Sequence, residues 1–141
     1  MEKVESFSGS CLCGSVRYEF SAPPGTTRIC WCRVCQKFGA GSATVNVLFP
    51  SAALRIDGEV RDFVSVAESG NIMHRRFCPM CGVHLFTASE ARPHLIFVRA
   101  GTLDDRSAVR PAQTIWVCEA PAWASIDPDL PRFDRQPPPV S

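Results

Sequence analysis

The chain has 141 residues and a mass of 15.5 kDa, which makes one compact domain and leaves no length for a second sizeable core. Hydrophobic residues make up 45% and charged residues 21%, too apolar for a disordered polymer and polar enough for solubility. With 15 Lys plus Arg against 14 Asp plus Glu the formal net charge is +1. No long-range field gathers nucleic acid or an anionic membrane surface, and no stretch approaches the ~18 consecutive apolar residues of a membrane helix.

The opening MEKVESFSGS is polar and carries no apolar signal segment. It points to a cytoplasmic, reducing setting, where eight cysteines serve metal binding or chemistry rather than disulfide scaffolding. In chain order, CLCG at 11–14 leads into Val16, Tyr18 and Phe20, an alternating run closed by Pro23, Pro24 and Gly25. This predicts a strand and a turn. CWCRVC at 30–35 follows, and residues 33–41 have room for a helical turn. Further β-rich runs at 43–49, 61–66, 71–77, 83–87, 94–100 and 114–117 are mostly bounded by Gly, Pro or Asp, with a second turn at 103–107. Seven or eight short strands make an all-β domain, since no helix is long enough to form a layer. Six of the twelve prolines lie between Pro121 and Pro139. Residues 1–133 are therefore expected to form the domain, its end wrapping the surface, and residues 134–141 a poorly ordered Pro-rich tail.

CPMCG at 78–82 has the mechanics of a zinc knuckle: two thiolates three positions apart grip one ion, and the glycine permits a turn that aims N–H groups at sulfur. CLCG offers a second pair on a similar turn. Cys11, Cys13, Cys78 and Cys81 together would close a structural tetrahedron that cross-links a small β domain. The alternative is a redox disulfide between Cys78 and Cys81, although no thioredoxin-like βαβ pattern surrounds it.

The middle run, Cys30, Cys32 and Cys35, supplies three thiolates and stops. Zinc prefers four ligands, and three protein ligands leave a position for water or substrate. Cys118 or a histidine completing the tetrahedron would instead make the site structural. Cys118 ends the apolar run Ile115, Trp116, Val117 and reads as a buried small hydrophobe. His84 alternates onto the strand face opposite Val83 and Leu85, and His74 and His94 lack sequence partners, so none is assigned as a ligand. Arginine outnumbers lysine 13 to 2, and Arg28, Arg33, Arg75, Arg76 and Arg99 are candidates for binding an anionic small molecule or for a solvated surface. Gln36, Lys37 and Ser42 bring donors next to the open site.

The succession GSCLCGSVRYEF, CWCRVCQKFGAGS, FCPMCGVHLF and PAWASIDPDLPRF resembles the glutathione-dependent formaldehyde-activating enzyme (GFA) family from about Ser8 to Phe133. The resemblance implies a β-tent fold of antiparallel sheets and two zinc ions per chain. It places the structural zinc at Cys11, Cys13, Cys78 and Cys81, and the catalytic zinc at Cys30, Cys32 and Cys35. Trp31 departs from the histidine common at that position. The implied activity is that of a carbon–sulfur lyase making or cleaving S-(hydroxymethyl)glutathione from glutathione, or another small thiol, and formaldehyde. Two further readings stand beside it: a zinc-stabilised binding module without turnover, and thiol redox chemistry at an accessible Cys118. Edge strands of small sheets allow a homodimer.

Overall fold

The computed structural model describes residues 6–67 and 69–139. Among them, strands β1 (Phe7–Ser10), β2 (Arg17–Phe20), β3 (Thr27–Cys30), β4 (Thr44–Pro50), β5 (Leu54–Asp57), β6 (Arg61–Val66), β7 (Ile72–Phe77), β8 (His84–Ser89), β9 (Leu95–Arg99) and β10 (Gln113–Ile115) build two sheets. The smaller has the order β1-β2-β5 and the larger β10-β3-β4-β9-β8-β7-β6. The one α-helix among the described residues, α1 (Arg33–Phe38), is six residues long, and the remaining helices are single 3-10 turns. The chain is mostly β, as its alternating runs predict.

Two expectations need correction. The strands number ten among the described residues, because β1 and β3 carry no readable alternation and the alternation of β5 is only four residues long. β1 is FSGS, made largely of small residues, and three of the four β3 residues are buried, so both its faces are covered. The larger sheet is also mixed, since β10 pairs with β3 in parallel while the other pairs are antiparallel. The connection from β3 to β10 spans most of the chain, and parallel pairing needs such a long crossover.

The core lies between the sheets. Val16, just before β2, and Tyr18 and Phe20 of β2 meet Val47, Phe49, Phe86, Ile96 and Val98 from the large sheet. Phe20 stacks on Phe49 with centroids 3.9 Å apart, and Tyr18 meets Phe86 edge-on at 5.1 Å. Each fully buried aromatic contributes about 1.5–3 kcal/mol through the area it removes from water. Burial raises the Tyr18 pKa, and its hydroxyl finds Thr102 Oγ1 at 2.7 Å. A side chain at Gly9 would collide with Tyr18 and the Thr102 carbonyl, so glycine there lets β1 close over the tyrosine.

The long sheet ends in β6, whose Phe63, Val64 and Val66 are exposed. At the other edge, Pro131 to Arg135 run beside β10: Thr114 N–H donates to the Pro131 carbonyl, Phe133 N–H to Thr114 and Trp116 N–H to Arg135. Trp116 Nε1 reaches Gln136 Oε1 at 3.1 Å, and Pro137 is buried. Residues 140–141 of the Pro-rich tail lie outside the described residues. No helix among the described residues is long and apolar enough to cross a membrane.

Candidate metal centres

Cys11, Cys13, Cys78 and Cys81 come together with all four Sγ atoms within 4.8 Å of one another. The Cys11–Cys13 and Cys13–Cys78 separations are both 3.7 Å. A tetrahedron with metal–sulfur bonds of 2.3 Å has edges of about 3.8 Å, so the set fits a four-coordinate ion. Two turns of similar design present the sulfurs. Gly14 and Gly82 follow Cys13 and Cys81 with φ of 80° and 77°, a region where only glycine is unstrained. These turns aim N–H groups at sulfur: Val16 at Cys11 (3.3 Å), Met80 and Cys81 at Cys78 (3.4 and 3.5 Å). Ser15, which sequence reasoning passed over, puts its hydroxyl 3.0 Å from Cys13 and 3.2 Å from Cys78. That contact and the Cys81 N–H lower the Cys78 pKa to about 6, favouring the thiolate a metal needs.

The second set is Cys30, Cys32 and Cys35, again with sulfurs within 4.8 Å. Cys30 ends β3, Cys32 caps α1 by accepting the Cys35 N–H at 3.2 Å, and Cys35 lies on the helix. A six-residue helix is marginal alone, so its anchoring comes from elsewhere. Gln36 is buried and donates to the Trp31 carbonyl at 2.7 Å and the Glu119 carbonyl at 3.0 Å. The Glu119 carboxylate accepts the Arg33 N–H at 2.5 Å. Gln36, expected beside the open site as a donor, is thus a strut of the cysteine loop, whereas Lys37 and Ser42 are exposed. Among the three thiols the negative charge favours Cys35, held well below the usual thiol range by hydrogen bonds from Cys30 and Cys32, then by Thr44 and the charge of Arg99. The same contacts push Cys30 up.

Cys118 belongs to neither set. It is exposed rather than buried as the apolar run predicts, because Trp116 adopts a left-handed conformation (φ 59°, ψ 36°) that breaks the strand alternation.

Around the three-sulfur set the structure sorts the arginines. Arg99 donates to His84 Nδ1 at 2.8 Å and to Asn46 Oδ1 and contacts Cys35. Arg75 and Arg99 both lie over the Phe38 ring, at 5.7 and 5.8 Å, and Arg28 is buried over Phe97 at 5.6 Å. Arg33 is exposed, and Arg76 approaches Asp62 at 4.0 Å. His84 stacks on Phe38 at 4.5 Å. Burial, then the charges of Arg99 and Arg75, lower its pKa to about 3, so it is a neutral imidazole accepting at Nδ1. His74 sits elsewhere, between Asp62 and Glu90, and His94 is exposed. Thr44, Asn46 and His84 escaped the sequence reading as site residues because strand pairing, not sequence proximity, brings them to the cysteines, whereas Phe38 lies on α1 with Cys35.

Residues 6–119 match the family model described as glutathione-dependent formaldehyde-activating enzyme. The chain belongs to the GFA family. A protein of Halomonas elongata, named provisionally as a glutathione-dependent formaldehyde-activating enzyme, is 27% identical over 125 residues, covering 84% of this chain and 80% of that protein. A crystal structure of a Rhodobacter sphaeroides protein shares the fold with a TM-score of 0.58 at 17% identity, covering 89% of this chain and 98% of that one. The GFA match spans both cysteine sets, and the family's name makes glutathione and formaldehyde the compounds against which the site is read.

Proposed function

We propose that this chain is a zinc-dependent carbon–sulfur lyase that forms or cleaves the formaldehyde adduct of glutathione, or of another small thiol, on a β-tent fold. One observation carries the reading: a chain of this family holds a complete four-sulfur set beside an incomplete three-sulfur set. Cys11, Cys13, Cys78 and Cys81 would hold a structural zinc. Cys30, Cys32 and Cys35 would hold a second, which would supply acidification of a bound thiol.

The remaining work falls to the protein. Three thiolates around a dication leave a charge of about −1, and the Arg99 guanidinium beside Cys35 offsets it. In the forward direction a sulfur–carbon bond forms to the carbonyl carbon of formaldehyde, and the thiol proton ends on the new hydroxyl oxygen. Arg99 is the cation positioned to stabilise charge on that oxygen. Thr44 is a hydroxyl-bearing hydrogen-bond partner of Cys35. Gln36 keeps the cysteine loop in place.

The test is zinc content per chain, followed by two-dimensional exchange NMR of glutathione with formaldehyde. Two zincs and an exchange rate above the uncatalysed one, both reduced to one zinc and the background rate in Cys32→Ser, support the reading. Two zincs with an unaltered rate sink it. That outcome would leave a zinc-stabilised binding module, the reading favoured by the exposed Phe63, Val64 and Val66 of β6.

A further inference from the structure

Arg28, Arg99 and Arg75 are cations without carboxylate partners. The ion pairs among the described residues join His74 to Asp62 and Glu90, and Arg76 to Asp62. Arg28 and Arg75 are only 6% and 8% exposed, where an unpaired charge is costly. Their hydrogen-bond and ring neighbours are neutral, Ser65 Oγ at 2.5 Å from Arg75 and the rings of Phe97 and Phe38, and the sulfur of Cys30 is the one opposite charge that acts on Arg28. Arg99 has Asn46, His84 and the sulfurs of Cys35 and, more weakly, Cys30.

Strand pairing sets the three in order. Arg28 is opposite Asn46 on β4, and Asn46 opposite Arg99 on β9. With strands about 4.8 Å apart, Arg28 and Arg99 are separated by about 10 Å. Arg75 on β7 is opposite Thr87 on β8, which is opposite Phe97. Cys30 lies two residues beyond Arg28 on the same face of β3, so the row runs beside the three sulfurs. Several potential donors along it are buried without a partner: Arg28 Nε, Thr87 Oγ1 and His84 Nε2. Buried polar atoms in native proteins are nearly always satisfied, and orphans gathered along a cationic row mark where a ligand's oxygens belong.

We propose that Arg28, Arg99 and Arg75 form an anion-binding row that holds the carboxylates of the thiol, and that these three residues set the site's preference for a charged thiol over a neutral one. The inference rests on reading Cys30, Cys32 and Cys35 as a thiol-binding zinc site. It adds a specificity element that a neutral thiol cannot use, because a guanidinium recognises carboxylate by two parallel hydrogen bonds as well as by charge.

Calorimetric titration of the zinc-loaded full chain tests this with three probes: glutathione, its neutral isostere with both carboxylates converted to carboxamides, and S-methylglutathione. Glutathione is expected to bind about tenfold or more tightly than the diamide, the size of one charge-assisted hydrogen bond. Arg75→Gln should shrink that ratio towards one by weakening glutathione alone, with zinc content unchanged. Equal affinities of glutathione and the diamide for the unmodified protein overturn the inference without any variant, and leave the lyase reading standing. Equal weakening of both probes by Arg75→Gln also overturns it. If S-methylglutathione, which cannot present a thiolate, keeps the carboxylate dependence and binds as tightly as glutathione, the arginine row stands and thiol coordination falls. No binding of any probe overturns both.

Discussion

The Sγ atoms of Cys13 and Cys78 stand 3.7 Å apart although 65 positions separate them in the chain. The four-sulfur set therefore ties the turn before β2 to the turn before β8, one from each sheet. Cys78→Ser is expected to lose one zinc and cooperative folding, because a structural zinc supplies about 10–16 kcal/mol in small metal-dependent domains. Cys32→Ser is expected to lose the other zinc and keep a cooperative transition. Metal analysis and calorimetric unfolding of the two variants check the assignment, and equal destabilisation would contradict it.

Phe49 is fully buried and stacked on Phe20 across the gap between the sheets. Phe49→Ala should destabilise the fold by about 3–5 kcal/mol, a large share of the ~5–15 kcal/mol that holds a small domain together. Urea unfolding at fixed zinc concentration measures it.

Gln36 closes the cysteine loop through two backbone carbonyls, those of Trp31 and Glu119. Gln36→Leu keeps the bulk but strands both acceptors, at about 1–3 kcal/mol each. The expected outcome is weaker metal retention at Cys30, Cys32 and Cys35 with the four-sulfur site intact. Competition with a chelator, which should release one zinc early and one late, reads this directly.

His74 Nδ1 meets Asp62 at 2.5 Å and Nε2 meets Glu90 at 3.1 Å; both carboxylates raise its pKa, Asp62 first. The folded value thus exceeds the unfolded one of about 6.5. The stabilisation is fully present below pH 6.5 and is lost as pH rises through the folded value. Thermal midpoints of the parent and His74→Gln should differ most at pH 6 and converge above the folded pKa, with the imidazole shift followed by NMR. A difference that grows with pH would refute this.

Cys118 is exposed and stands outside both sulfur sets. In zinc-loaded protein, brief iodoacetamide treatment should label Cys118 first, and chelation should open the other seven thiols. Peptide mass mapping before and after chelation checks the partition. Early labelling of Cys35 in the presence of zinc would contradict it.

The cysteine clusters were legible in the sequence because such turns are local: each CxC or CxxC pair, with its glycine, is encoded within a few residues. Strands with one buried face were legible for the same reason, as with Val16, Tyr18 and Phe20, whereas β1 and β3 hid because small residues or burial on both faces erase alternation. The closing of Cys11 and Cys13 onto Cys78 and Cys81 needed the whole fold, as did the conversion of Gln36 from a candidate donor into a strut and the exposure of Cys118. Sequence composition announced many arginines but could not separate Arg28, Arg75 and Arg99 from Arg33 and Arg76. That separation depends on the pairing of β3 with β4, β4 with β9 and β7 with β8, and strand pairing joins residues distant in sequence through backbone hydrogen bonds that carry no local signature.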